Sequence, residues 1–246
     1  MTAAVTICDV HVDYGSVHAV GDLSLEIPQG ASVAVIGPNG SGKSTLLKVI
    51  AGVVEPTSGS VDTHDNDTAI VLQSTDVDKS VPITVRDTVA MARFQRLGLL
   101  RRFGRDDREA IRTALERLDI ADLAGRQIHH LSGGQRQRVF VAQGLAQDAP
   151  VLLLDEPLTG LDVVSRTIIA GVLADEHTAG RTIVTTTHNF ADAEQADLVL
   201  LLATRFVAFG TPDDVFTEEH LRKAFGGRFA RVGDTLVVDD PHHHHH

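Results

Sequence analysis

The chain has 246 residues, with 22 basic against 33 acidic side chains for a formal charge of −11, and 43% of its residues are apolar. A length of this order suits one large domain or two small ones with a real core. The acidic balance argues against nucleic acid as a partner and against spontaneous docking on an anionic membrane, since both need a basic surface. Cys8 is the sole cysteine, so no internal disulfide can form, which fits a reducing cytoplasm. The opening MTAAVTICDV lacks a positive region followed by an apolar stretch, so no signal peptide is expected. The longest apolar run, Leu198 to Ala203, is far shorter than the roughly 18 residues a membrane span requires, and a soluble protein is expected. His242 to His246 have the form of a purification tag and carry no weight as metal ligands.

Residues 3 to 12 alternate loosely around Val5, Ile7, Val10 and Val12, and Leu23, Leu25 and Ile27 alternate before Pro28-Gln29-Gly30. The first thirty residues therefore read as antiparallel strands. Ser32 to Ile36 is a short buried strand, Ser44 to Ala51 a helix closed by Gly52, and Ala69 to Leu72 another strand. Residues 80 to 148 change character: they are helical, Arg-rich and poor in strand signals. Within them Asp106 is expected to cap a helix with Glu109 as its reciprocal partner. Ala110, Ile111, Ala114, Leu115 and Leu118 form that helix's apolar stripe. Strand patterns return at Val151 to Leu154, Arg181 to Thr186 and Leu198 to Leu202, in runs that suit parallel strands buried on both faces. The pattern is that of an α/β core interrupted by a helical insertion.

Between the Ser32–Ile36 strand and the next helix lie Gly37, Pro38, Asn39, Gly40, Ser41, Gly42, Lys43, Ser44 and Thr45, which match G-x-x-x-x-G-K-[ST]. The glycines let successive backbone N–H groups face inward as an anion nest at a helix N-terminus. Lys43 adds a positive charge for the β- and γ-phosphates, and the Ser44 hydroxyl is placed to ligate Mg²⁺. Further on, Asp155 and Glu156 follow the Val151–Leu154 strand, at the edge of an α/β sheet where ligands bind. Asp155 is a candidate for the Mg²⁺ shell and Glu156 for polarising an attacking water. Either feature alone has a plain reading, a glycine-rich turn or an acidic turn; their coupling points to nucleotide hydrolysis.

Leu131-Ser132-Gly133-Gly134-Gln135 opens a helix running to about Gln147. Ser-Gly-Gly alone reads as a simple N-cap. As LSGGQRQR, placed after the phosphate loop and shortly before Asp155 and Glu156, it resembles the signature motif of ABC ATPases. That resemblance covers residues 5 to 227 and implies a P-loop NTPase core of the ABC ATPase type, with an antiparallel β subdomain and a helical insertion. It implies ATP and Mg²⁺ as cofactors. It gives Ser132, Gly133, Gly134 and Gln135 the role of reading the γ-phosphate of ATP held by the opposite protomer, and Asp162, in Leu161-Asp162, a place on the loop crossing the dimer interface. Gln73 resembles the glutamine that contacts Mg²⁺ and links core to insertion, His188 the histidine that hydrogen-bonds the γ-phosphate, and Tyr14 the aromatic that stacks on adenine. Asn189 departs from the aspartate common after that histidine, with no loss of activity expected. Residues 228 to 240, with Thr235 to Val238 reading as a short strand, fall outside the resemblance and are unassigned.

The same resemblance implies a second ATPase subunit, as a homodimer, and integral-membrane permease subunits that hold the chain at the inner face of the cell membrane. It implies an indirect link to an extracytoplasmic metal-binding protein. Pro82 to Met91, Gln95 to Arg102 and the tail from Val207 to Gly227 are similar to zinc- and manganese-type importers, and Val141 to Gln147 favours zinc over manganese. STDVDKSV, between Gln73 and Pro82, departs from that group in lacking aromatic residues. The cargo metal is not expected to touch this chain, whose histidines show no ligand spacing. An ATPase for another cargo such as an iron chelate, and a soluble ABC ATPase outside transport, are the alternatives.

Overall fold

The computed structural model describes residues 2–64, 67–73, 82–97, 103–226, 229–232 and 235–238. The STDVDKSV departure, part of the Gln95–Arg102 stretch, Gly227 and the histidine run lie outside the described residues. Two compact units are formed, one from residues 1–66 and 184–246, the other from residues 67–183.

The first unit opens with β1 (Ala3–Tyr14) and β2 (Val17–Pro28), paired antiparallel with Val5 opposite Ile27 and Ile7 opposite Leu25. The alternation anticipated from the sequence buries Val5, Ile7, Val10, Val12, Leu23 and Ile27. Next come β3 (Ser32–Ile36), α1 (Lys43–Ile50) and β4 (Ser58–Thr63). β4 pairs antiparallel with β1, giving the order β2-β1-β4. This strand is not legible in the sequence: Ser-Gly-Ser-Val-Asp-Thr is polar and mostly exposed, and it is held by ladder hydrogen bonds at a sheet edge rather than by apolar burial.

The second unit holds β5 (Thr68–Val71), α2 (Val85–Leu97), α3 (Arg105–Arg117), α4 (Gly133–Ala146), β6 (Val151–Leu154) and α5 (Val163–Thr178). Single 3-10 turns at Ala121–Leu123 and Ile128–His130 lead from α3 to α4. β5 and β6 are parallel, with Ala69 opposite Leu152 and Val71 opposite Leu154. All four residues of β6 are buried, as a strand covered on both faces requires. One apolar cluster joins α2 through Val89, α3 through Ile111 and Leu115, α4 through Val139 and Ala142, and α5 through Ile169. Buried arginines tie these helices together. Arg93 on α2 donates to Asp107 at 2.9 Å and to the Ala146 carbonyl at 3.0 Å. Arg138 on α4 donates to the carbonyls of Leu118 at 3.1 Å and Asp119 at 2.9 Å. Glu176 on α5 accepts from both Arg117 and Arg181. Paired in this way, the guanidiniums escape the cost of burying an unmatched charge.

α3 does not start as the sequence suggested. Gly104 is its N-cap residue, and Asp107 accepts from the Gly104 N–H at 2.9 Å. Asp106 therefore sits inside the first turn. Glu109 pairs instead with Arg112, one turn along, which holds its carboxyl below the usual range. The cap lies two positions earlier than the expected one, with Asp107 in the reciprocal role and held there by its Arg93 partner.

β7 (Thr182–Thr187) carries the chain back to the first unit, which continues with α6 (Phe190–Ala193), β8 (Leu198–Leu202), β9 (Phe206–Gly210), α7 (Pro212–Val215) and α8 (Glu218–Phe225). A hairpin of β10 (Phe229–Val232) and β11 (Thr235–Val238) follows. β3 and β8 are parallel, Ala34 opposite Val199 and Ile36 opposite Leu201, and β9 pairs antiparallel with β8. Phe190 lies between Phe216 and Phe225, at ring-centroid distances of 5.2 and 5.7 Å, and closes this core.

Candidate active site

In the first unit the turn from β3 to α1 is the phosphate loop. Gly42 adopts φ +94, a left-handed conformation that favours glycine, and a Cβ there would collide with the Ala19 carbonyl of β2. A Cβ at Gly37 would likewise strike the carbonyl oxygen of Leu202, at the end of β8. The loop is thus wedged between two strands with no room for a side chain at Gly37 or Gly42. Thr204 strengthens the wedge: its N–H donates to the Ser41 carbonyl at 3.1 Å, and its own carbonyl accepts from Gly21 at 2.9 Å. No feature of Ala203-Thr204-Arg205 announces this clamp in the sequence.

Lys43, only 7% exposed, donates through Nζ to the carbonyls of Gly37 at 2.8 Å and Pro38 at 3.0 Å, so its charge spans the loop. α1 has no side-chain cap and no acidic residue in its first turn. In contrast, Ser132, Asp162 and Thr217 cap α4, α5 and α8. Uncapped first-turn amides beside a buried cation suit a phosphate anion. The Ser41 hydroxyl is buried in the same loop without a hydrogen-bond partner among the described residues. Tyr14, at the end of β1, is 49% exposed. His188 follows β7 directly and is exposed. Asn189 accepts from the Ala191 N–H at 2.9 Å and caps α6, as an aspartate in its place would.

In the second unit Asp155 extends the β5–β6 ladder by one bond, its N–H donating to the Val71 carbonyl at 2.8 Å, which fixes a nearly buried carboxylate at the strand end. Glu156 follows with φ +48, a left-handed conformation costly for a residue with a Cβ. Gln73, two residues beyond β5, donates to Glu156 at 3.5 Å. Gln73, Asp155 and Glu156 are therefore brought together.

The signature residues form a reciprocal cap on α4. Ser132 Oγ accepts from the Gln135 N–H at 3.2 Å, while Gln135 Oε1 accepts from the Ser132 N–H at 3.1 Å. Gly133 is exposed in the first turn. Gly134 faces the start of α5 so closely that a Cβ would collide with Asp162 and Ser165. Asp162 in turn caps α5, accepting from Ser165 through both its N–H and its Oγ at 2.9 Å. Those bonds, the backbone one foremost, hold its carboxyl below the usual range. Ser165 was not singled out from the sequence, although Asp-x-x-Ser at a helix start is a capping pattern.

A glycine-rich phosphate loop after a parallel strand, with an aspartate–glutamate pair at the end of another, defines a P-loop ATPase of the α/β class. Residues 20–159 match the ABC transporter family. The chain is 40% identical over 94% of its length to the manganese transport system ATP-binding protein MntB of Bacillus subtilis (strain 168), covering 96% of that protein. It is 38% identical to the chelated iron transport system membrane protein YfeB of Yersinia pestis, over 94% of this chain and 83% of that one. It is also 38% identical to the zinc transport system ATP-binding protein TroB of Treponema pallidum (strain Nichols), over 92% and 88% respectively. Among solved structures, an inward-facing metal-chelate type ABC transporter superposes with a TM-score of 0.82 at 28% identity, over 96% of this chain and 95% of that one. The chain belongs to the ABC transporter ATP-binding family, has the ABC ATPase fold, and binds and hydrolyses ATP. No helix among the described residues is long and apolar enough to cross a membrane.

Proposed function

We propose that this chain powers the import of a divalent metal ion, manganese ahead of zinc, through membrane permease subunits supplied by other chains. The observation that carries the cargo is the run of manganese transport ATP-binding proteins among its relatives, at 34 to 40% identity. Sequence patterns around Val141 to Gln147 favoured zinc; the zinc relative, at 38%, keeps that metal second. Import of an iron chelate is the alternative favoured by the Yersinia relative.

On this reading the ATP phosphates rest on Gly37 to Thr45 and the adenine on Tyr14. Ser44, Asp155 and Gln73 offer hydroxyl, carboxylate and amide oxygens, the hard donors that Mg²⁺ prefers, and these would hold it. The ion supplies charge neutralisation on the phosphates. Glu156 accepts a proton from the attacking water as its oxygen bonds to the γ-phosphorus, and the bond to the ADP oxygen breaks. His188 donates to the γ-phosphate. Ser132 to Gln135 of the partner subunit, with Asp162 of the partner subunit nearby, complete each site in a head-to-tail homodimer. The domain limits follow: residues 1–227 as the ATPase, 80–148 as its insertion, 228–240 as an extension. The assembly sits peripherally on the cytoplasmic face, with an extracytoplasmic binding protein delivering the metal.

The test is the metal content of cells lacking this protein, restored with wild type or with Glu156→Gln. A fall in manganese that only wild type reverses supports the proposal. A fall in zinc or iron alone reassigns the cargo, and no change in any metal removes the metal-cargo reading while the ATPase assignment stands.

A further inference from the structure

We infer that the helical unit carries a second anion site, separate from the phosphate loop, that takes a small organic phosphate. A cavity of about 420 Å³ lies against the outer side of α3. It is lined by Arg86 from the first turn of α2 and by Arg105, Arg108 and Arg112 from α3, over a floor that includes Ile111, Leu115 and Ala124. That volume falls in the range of small-molecule pockets, about 300–1,000 Å³.

The charges in this cavity differ from those of the arginines that tie the helices together. Elsewhere in the same unit Arg93, Arg117, Arg138 and Arg181 are each spent on carboxylates or carbonyl oxygens. Around the cavity only Arg112 is so engaged, by Glu109 and Glu116. The guanidiniums of Arg86 and Arg108 make no hydrogen bond or ion pair with any described residue, and Arg105 acts on Glu109 only through space. In a chain with 33 acidic residues against 22 basic ones, carboxylates to neutralise this cluster were abundantly available. The sole acid in the lining is Glu109, already held by Arg112. Like charges one and two turns apart on a helix repel one another. The sequence keeps them on one face of α3, while Asp107 is turned to Arg93. A bound anion relieves that repulsion.

Guanidinium forks above apolar residues select the chemistry. Phosphate oxygens accept paired N–H bonds from arginine, and an apolar base or sugar face covers Ile111 and Leu115. Arg105 to Arg112 spans about 10 Å of helix, enough to separate two phosphate groups. The ligand class is therefore a nucleotide-sized organic bisphosphate rather than orthophosphate. It would cross-link the start of α2 to α3, the two helices against which α4 and its signature motif are packed.

The experiment is calorimetric titration of the full chain with adenosine 3′,5′-bisphosphate, the phosphate loop first saturated with Mg²⁺ and ADP. The comparison is Arg86→Ala/Arg108→Ala, whose two side chains are exposed, with equal melting temperature and basal ATP turnover as the check that the fold is kept. The expected result is one saturable site, weakened at least tenfold in the double variant, with orthophosphate binding at least tenfold more weakly than the bisphosphate. Absence of saturable binding, equal binding by the double variant, or equal affinity for orthophosphate overturns the inference. Retention on phosphatidylglycerol vesicles that the double variant loses, without bisphosphate binding, also overturns it in favour of a lipid surface.

Discussion

At the residue scale, the chemistry rests on groups whose positions are forced. Lys43 already sits over the loop on the carbonyls of Gly37 and Pro38, bonds that phosphate oxygens can replace. Lys43→Ala removes the only side-chain cation of the loop and is expected to lower ATP turnover about a hundredfold; unchanged turnover in a phosphate-release assay would refute the role given to it. Glu156→Gln keeps the shape but removes the proposed proton acceptor, the partner of Gln73. Turnover is expected to fall by about 10²–10⁴ while ATP still binds, so an ATP-dependent dimer should persist in size-exclusion chromatography. A monomer at saturating ATP would sink the head-to-tail arrangement. The placing of Lys43 at the start of α1 and of Asp155 and Glu156 at the end of β6 was legible in the sequence because each belongs to a local motif beside a strand. Thr204 was not, because its role comes from two backbone bonds to residues far away in the chain.

At the element scale, the signature helix and the helix after Asp162 are built as one piece. Ser132 and Gln135 cap α4, Asp162 and Ser165 cap α5, and Gly134 is the point where the two caps touch. Gly134→Ala pushes a methyl group into Asp162 and Ser165, a form of overpacking that costs about 1–3 kcal/mol. The expected outcome is a melting temperature lowered by about 2–10 °C with ATP hydrolysis lost and nucleotide binding at the phosphate loop retained. Wild-type melting and turnover would mean that the caps do not meet there. The helix itself was readable from Ser-Gly-Gly-Gln and its length, and the structure agrees to within a residue, Gly133–Ala146 with Gln147 as its C-cap. Among the strands that were readable, β3, β6 and β8 are runs of apolar residues buried on both faces. The polar β4 was missed because its stability lies in pairing with β1. The frame of the α3 cap was missed because a neighbouring helix, through Arg93, selects Asp107.

At the scale of the whole molecule, charge opposes the proposed dimer. Each copy carries a formal charge of −11, so two copies repel at long range, and bound nucleotide adds to that repulsion. The attractions proposed for the closed dimer are of short range: the N-terminus of α4 against a phosphate of the partner, and apolar contact from Val163 and Val164, which are 80% and 63% exposed beside Asp162. Salt discriminates between the two, because screening shortens from about 30 Å at 0.01 M to about 8 Å at 0.15 M and acts least on buried pairs. The ATP-bound Glu156→Gln dimer is therefore expected to tighten several-fold between those ionic strengths in sedimentation equilibrium. If it loosens instead, complementary charge across the interface outweighs the net repulsion, and the signature helix would have to be joined by further cations reaching the partner's nucleotide.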